Sequence, residues 1–201
     1  AVLGISGGGP AAIELAHRHP DRVSALVLAC AMAPHLVTAP ISIRLVKLPG
    51  VAPALSAGLR AVSRRRARNT AYVDAQLEKG LTPQELVRAK ANGTIKHDLL
   101  RHELGHLAAP AGIHGLRNDL LQVEQAKRST PPAYDVKCPS LLMYGVADTV
   151  ISLDHGRFYA SKLRDPEFVT FDNAGHVFAL TRRAESSAAI KTFFDAAARQ
   201  G

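Results

Sequence analysis

A serine with catalytic potential lies close to the start of the chain, in the run Gly4-Ile5-Ser6-Gly7-Gly8. The run follows the G-x-S-x-G pattern, in which a serine is held as a nucleophile on a sharp turn between a strand and a helix. Such a turn is crowded, and larger side chains beside the serine would collide with the neighbouring strand and helix. The pattern therefore predicts that Ser6 is a nucleophile.

A base and an acid are available further along the chain, in the order Ser6, Asp148, His176. A serine hydroxyl is a weak nucleophile until a base takes its proton, and histidine suits that task because its pKa lies near neutrality. A carboxylate behind the histidine fixes its tautomer and stabilises the imidazolium. Taken alone, each residue has an ordinary explanation: a glycine-rich turn, a helix cap and a loop histidine. Their occurrence together, each after a strand-like run, favours catalysis.

The elements that must position these residues alternate between strand and helix patterns. Val23–Cys30 is a continuous apolar run of strand length, typical of a strand buried on both faces. Strands and helices in alternation predict a parallel α/β sheet, at whose carboxyl edge active-site groups gather. The predicted strands are 1–3, 23–30, 140–144 and 167–171, and the predicted helices are 10–19, 153–163 and 185–199.

The middle of the chain has a different character. Residues 35–130 carry helical patterns with few strand signals, and Thr82-Pro83-Gln84-Glu85 has the form of a capping box with proline at the first helical position. A second amphipathic helix is predicted over 118–127. We therefore expect a core formed by residues 1–34 and 131–201, with 35–130 inserted as a helical lid.

These motifs resemble those of the α/β-hydrolase superfamily over residues 1–34 and about 130–201. The resemblance implies Ser6 as nucleophile, Asp148 after the seventh strand, His176 after the eighth and the Gly7 amide as an oxyanion donor. Some members place the acid after the sixth strand, but Ala31-Met32-Ala33 has no carboxylate there. The implied activity is cleavage of a small-molecule carboxylic ester, lactone or related acyl bond through an acyl-enzyme, with no cofactor and no metal.

The resemblance also implies an N-terminal segment that this chain does not contain. The family sheet has about eight strands, and the chain supplies the equivalents of strands 5 to 8. The first four strands and the loop with the second oxyanion donor would come before Ala1. We therefore expect a fragment with an exposed apolar sheet edge and impaired catalysis, and a non-catalytic remnant stays an alternative.

A competing motif is His102-Glu103-Leu104-Gly105-His106, which matches H-E-x-x-H. On a helix the two histidines would share one face and could bind zinc, with Glu103 as general base. Gly105 weakens a helix, Gly112 stands where one zinc-peptidase class needs a third histidine, and Glu124 is not diagnostic. A zinc metallopeptidase therefore remains the second hypothesis, beside an exposed lid helix with no metal.

Composition excludes several other classes. The 201 residues carry a net charge of +8, yet the arginine cluster over 60–68 has no aromatic residues between its members, which argues against nucleic-acid binding. No apolar stretch approaches the roughly 20 residues needed to cross a bilayer. Cys30 and Cys138 are isolated, so we expect no disulfide framework and a reducing, cytoplasmic setting. Burial in the core explains Cys30 better than nucleophilic chemistry does. Phe178 fits an acyl pocket or the core equally well, and the oligomeric state stays open.

Overall fold

The sheet is the part of the fold that organises everything else. The computed structural model describes residues 1–37, 80–93 and 112–199. Within these ranges four strands form one parallel sheet in the order β1-β2-β3-β4. Their bounds are Val2–Ile5 for β1, Leu26–Ala29 for β2, Ser140–Gly145 for β3 and Glu167–Phe171 for β4. The predicted parallel α/β architecture is confirmed.

Helices cover the sheet and connect its strands. Short 3-10 turns occur at Ser6–Gly8, Pro20–Arg22 and Pro34–Leu36. The helices of the described ranges are α1 (Gly9–Arg18), α2 (Pro83–Ala91), α3 (Gly112–Ser129), α4 (Leu153–Lys162), α5 (Phe178–Thr181) and α6 (Arg183–Ala197).

Strand β2 separates two hydrophobic cores. All four of its residues are buried, and alternate residues point to opposite faces of the sheet. Leu26 and Leu28 join the core under α1 and α4, whereas Val27 and Ala29 join the core under α5 and α6. The unbroken apolar run in the sequence therefore reflects burial on both faces, as expected for a central parallel strand.

Most predicted elements are present, with shifted ends. Strand β1 continues to Ile5, so the first two residues of the G-x-S-x-G run belong to the strand and not to the turn. The four-residue helix α5 was not predicted, because it is too short to show a helical period. Its first residue, Phe178, is fully buried and stacks on Phe171 with ring centroids 4.6 Å apart, so it belongs to the core.

The segment predicted as an insertion, residues 35–130, is described only in part. Helix α2 begins with the predicted capping box, in which the Glu85 amide donates to Thr82 Oγ1 and the Thr82 amide donates to Glu85 Oε2. Helix α3 includes the helix predicted over 118–127 and is longer at both ends. The arginine cluster and the His102–His106 motif lie outside the described residues. The division into core and lid stays a prediction.

Strand β1 forms one edge of the sheet. In the described ranges it pairs only with β2, and its side chains Leu3 and Ile5 are 49% and 50% exposed. None of the helices that the structure describes has both the length and the apolar character needed to span a membrane.

Candidate active site

Ser6 lies in a strained turn between strand β1 and helix α1. The turn is three residues long, and the φ angle of Ser6 is 49°, in the left-handed region that non-glycine residues seldom adopt. Helix α1 packs so closely that a Cβ on Gly4 would stand 2.6 Å from Ala12 Cβ. The close approach of helix α1 to strand β1 therefore requires a glycine at position 4. The geometry presents Ser6 Oγ at the end of the strand.

The three side chains singled out in the sequence form a hydrogen-bonded chain. His176 Nε2 lies 3.0 Å from Ser6 Oγ, and His176 Nδ1 lies 2.8 Å from Asp148 Oδ2. The Asp148 side chain is fully buried, whereas 17% of the His176 side chain is exposed. With the proton on Nδ1, facing the carboxylate, Nε2 is free to accept a proton from the serine.

Asp148 has a second set of contacts through its other carboxylate oxygen. Oδ1 accepts hydrogen bonds from the amides of Val150 and Ile151, both at 2.8 Å. Such side-chain-to-backbone bonds stabilise a turn and fix the carboxylate at the same time. Asp148 is thus a turn residue as well as the partner of His176. It is not the helix cap that the sequence also suggested, because Ser152 stands at the N-cap of α4.

The sheet explains why residues so distant in sequence meet. Ser6 follows β1, Asp148 follows β3 by three residues, and His176 lies in the loop after β4. Because all the strands are parallel, these positions are at the same carboxyl edge, where ligands of open α/β sheets bind.

Gly7 lies directly after Ser6, in the turn that leads into α1. The residue is exposed, and a Cβ built on it would meet nothing within 4 Å. Its position beside the N-terminus of a helix suits the binding of negative charge. The role of its amide as an oxyanion donor stays a prediction.

Sequence reasoning did not identify the supports of the segment after β2. The Met32 amide donates to the carbonyl oxygen of Ser6 at 2.9 Å, so this segment supports the nucleophile turn. Tyr144 and Tyr159 donate their hydroxyls to the carbonyls of Ala31 and Met32, at 2.9 and 2.7 Å. Burial raises the pKa of both tyrosines, so both hydroxyls remain donors. The one signal in the sequence was the residue type, because the hydroxyl of a buried tyrosine usually has a hydrogen-bond partner.

Cys30 is part of the core, as expected from the sequence. It is 3% exposed, and burial together with the nearby Asp148 raises the pKa of its thiol to about 12. A thiol with such a pKa is protonated at neutral pH and is a poor nucleophile.

Metal ligation was the other chemistry considered. Across the residues that the structure describes, no group of three or more histidine, cysteine, aspartate or glutamate side chains is arranged to hold a metal ion. The His102, Glu103 and His106 motif is not among them, so the zinc hypothesis is not tested.

The fold and the arrangement of the site define a family. The family model described as "alpha/beta hydrolase fold" matches residues 1–182, and the chain belongs to this family.

A curated relative is the pimeloyl-(acyl-carrier protein) methyl ester esterase of Chromobacterium violaceum. It is 29% identical over 178 residues, which cover 87% of this chain and 62% of the relative. The chain therefore spans less than two thirds of the length of the curated relative that it matches.

Solved structures agree on the fold. A thermophilic esterase from Thermogutta terrifontis superposes with a TM-score of 0.65 at 19% identity, covering 97% of this chain and 64% of that one. An esterase from Exiguobacterium antarcticum superposes with a TM-score of 0.60 at 18% identity, covering 95% and 65%. At these identities the likeness concerns the fold alone.

Proposed function

We propose that the chain carries the catalytic residues of a serine hydrolase that cleaves carboxylic esters or closely related acyl bonds. The observation that carries the proposal is the chain of hydrogen bonds from Asp148 Oδ2 through the His176 ring to Ser6 Oγ, at 2.8 and 3.0 Å. Nucleophile, base and orienting acid stand within hydrogen-bond reach, the geometry that activates a serine.

In the first half of the reaction, Ser6 Oγ attacks the carbonyl carbon of the ester while His176 Nε2 takes the serine proton. The carbonyl oxygen becomes an oxyanion, which the Gly7 amide stabilises. When the tetrahedral intermediate collapses, the bond to the alcohol oxygen breaks, and the imidazolium of His176 returns the proton to that oxygen. The alcohol leaves, and an acyl ester on Ser6 remains.

In the second half a water molecule replaces the alcohol. His176 Nε2 takes a proton from the water, the hydroxide attacks the acyl carbon, and the proton passes to Ser6 Oγ as the acid is released. Asp148 accepts a hydrogen bond from the Nδ1–H of His176 throughout and stays ionised, which holds the tautomer and stabilises the positive charge of the ring. Its own position is fixed by the two amides that donate to Oδ1.

The esterase relative supports a carboxylic ester as substrate. That protein is named for the methyl ester of a pimeloyl group on acyl-carrier protein. The proposal for this chain goes no further than esters and closely related acyl bonds, because we expect the residues around an acyl group to belong largely to the segment 35–130, whose described parts are 35–37, 80–93 and 112–130.

A fluorophosphonate probe tests the proposal, because it bonds covalently to an activated serine and needs no full turnover. We expect one probe per chain on the wild type and none on Ser6→Ala or His176→Ala. Ser161→Ala is the matched control, since Ser161 is exposed and its hydroxyl donates to the carbonyl of Phe158. It should label as the wild type does.

Two outcomes would overturn the proposal. Labelling that persists in Ser6→Ala would show that the reactive group is not Ser6. A wild type that is folded but not labelled would indicate a non-catalytic remnant. A zinc assay on the same samples addresses the second hypothesis. Stoichiometric zinc that is lost in His102→Ala would favour a metal site.

A further inference from the structure

Helix α2 places a buried glutamate against the loop that carries His176. Glu85 is only 2% exposed, although it belongs to the inserted segment and not to the sheet. Its Oε2 accepts the Gly175 amide at 2.8 Å and the Thr82 amide at 2.9 Å, and its Oε1 accepts the hydroxyl of Thr181. A capping box accounts for the bond to Thr82 but not for the other two. Two of its three partners therefore lie on either side of His176.

Further bonds join the same two segments. The His176 amide donates to the carbonyl of Gly80 at 3.1 Å. Thr82 Oγ1 donates to the carbonyl of Asn173 at 3.1 Å. The segment 80–85 thus bonds to residues before, at and after His176.

The contact is too tight for a side chain at the loop. A Cβ on Gly175 would stand 2.5 Å from the carbonyl oxygen of Gly80 and 3.1 Å from Glu85 Oε2. The glycine before His176 lets the two backbones come this close. The hydrogen bonds between the segment 80–85 and the loop of His176 therefore lie within a tightly packed contact.

The loop has a second support from the sheet side. The Ala147 amide donates to the carbonyl of Ala174 at 3.1 Å, which ties the loop to the turn of Asp148. The sheet thus holds one side of the loop, and α2 holds the other through Glu85.

From these contacts we infer that Glu85 is a positioning residue for His176, through which the inserted segment sets the alignment of the base with Ser6. The inference rests on the proposed function of His176. Glu85 touches neither the reacting atoms nor the imidazole ring, and acts through the Gly175 amide. Displacements of about 1 Å in a catalytic group cost on the order of a hundredfold in rate, so a backbone bond next to the base matters.

The test compares Glu85→Ala with Glu85→Gln. Glutamine keeps one oxygen for the amides of Gly175 and Thr82, and its amide nitrogen can donate to Thr181 Oγ1. Alanine loses all three bonds. We expect the maximal labelling rate by the fluorophosphonate to fall about tenfold or more in Glu85→Ala, with the probe's binding constant little changed. Glu85→Gln should recover most of the rate.

A second measurement follows the bond itself and needs no activity. Amide hydrogen exchange by NMR should show faster exchange of the Gly175 and His176 amides in Glu85→Ala, and near wild-type exchange in Glu85→Gln. The matched control is Val87→Gly on the same helix, which weakens α2 at a residue that is 69% exposed. It should leave the labelling rate per folded molecule and the exchange at Gly175 unchanged.

The outcomes separate the inference from the proposed function. Unchanged exchange at Gly175 in Glu85→Ala, or an unchanged labelling rate with faster exchange, would overturn the positioning role. An equal loss of rate in Val87→Gly would also overturn it, because helix stability alone would then explain the effect. Absence of labelling in the folded wild type would instead refute the proposed function, and the exchange result would still report on the contact.

Discussion

At the scale of single residues, Asp148 combines two tasks that can be separated. Its Oδ2 faces His176 Nδ1, and its Oδ1 accepts two backbone amides in a fully buried position. The first contact concerns the base, and the second concerns the stability of the turn after β3. One carboxylate therefore links the folding of a turn to the orientation of the imidazole.

Asp148→Asn should remove activity and largely keep stability. The asparagine oxygen can accept from the amides of Val150 and Ile151, but its NH₂ group then faces His176 Nδ1. The imidazole must then carry its proton on Nε2, where it cannot accept the proton of Ser6. We expect the labelling rate to fall by about three to four orders of magnitude.

Urea denaturation provides the second half of that test. Asp148→Ala also leaves the amides of Val150 and Ile151 without their acceptor, the second of them buried, and should lose a further 1–3 kcal/mol, roughly, of unfolding free energy relative to Asp148→Asn. Asp195→Asn, at an exposed side chain paired with Lys191, serves as control. Equal stability of the asparagine and alanine variants would contradict the structural task of Oδ1.

At the scale of elements, strand β3 and helix α4 together hold the segment that follows β2. Tyr144 on β3 and Tyr159 on α4 bond to its carbonyls, and His155 Nδ1 accepts the Ala33 amide at 2.8 Å. With Nδ1 as acceptor, His155 carries its proton on Nε2. Through the bond from Met32 to the carbonyl of Ser6, these contacts extend to the nucleophile turn.

The structure predicts that this segment weakens in acid. Burial, and next the neighbouring His35, lower the pKa of His155, although Asp148 and Asp154 oppose the shift. The unfolded chain therefore binds a proton at His155 at a higher pH than the folded chain does. The stability due to the neutral ring is present above the unfolded value of about 6.5 and is lost as the pH falls through the folded value.

Urea denaturation at a series of pH values between roughly 8 and 5 measures this effect, because histidine side chains usually titrate in this interval. The free energy of unfolding should decline on acidification, and His155→Gln should show a smaller decline, because glutamine can accept the Ala33 amide without titrating. Parallel curves for the two proteins would show that other groups cause the acid sensitivity.

At the scale of the whole molecule, the site depends on a close approach between β3 and the loop after β4. Gly145 ends β3, and a Cβ there would stand 2.3 Å from the carbonyl oxygen of Ala174 and 2.7 Å from that of Gly175. The loop with His176 thus lies directly on the end of the strand that leads to Asp148. The packing of two distant segments sets the distance between acid and base.

Gly145→Ala should therefore affect stability and catalysis together. The added methyl must displace backbone atoms, and overpacking of this kind costs about 1–3 kcal/mol. Because the displaced atoms belong to the loop of His176, the labelling rate should also fall. Gly93→Ala is the control, since a Cβ at Gly93 would meet nothing within 4 Å. Thermal denaturation and fluorophosphonate labelling of both variants check the prediction. A labelling rate of Gly145→Ala equal to that of the wild type would contradict it.

Much of the fold was predictable from local patterns. The apolar run over 23–30 predicted a strand buried on both faces, and β2 lies within it. The Thr82 capping box predicted the first residue of α2 correctly. Strand ends were less predictable, because hydrogen bonds between strands decide them. Strand β1 therefore continues to Ile5, beyond the apolar run that announced it.

The sequence predicted the three residues of the candidate site but not the residues that hold them in place. Side-chain chemistry and order along the chain selected Ser6, Asp148 and His176, whose catalytic roles remain a proposal. In the sequence Glu85 was recognisable only as part of the capping box of α2, because its bond to Gly175 joins residues that are 90 positions apart.

The sequence by itself determined which groups could react and that their strands would run in parallel, since residue chemistry and hydrophobic period are local properties. Only the tertiary structure decided how those groups are held. The two oxygens of Asp148 divide between a turn and His176, and Glu85 reaches the loop of His176 from outside the sheet. Such contacts depend on the packing of distant segments to within a fraction of an ångström, which no local pattern specifies.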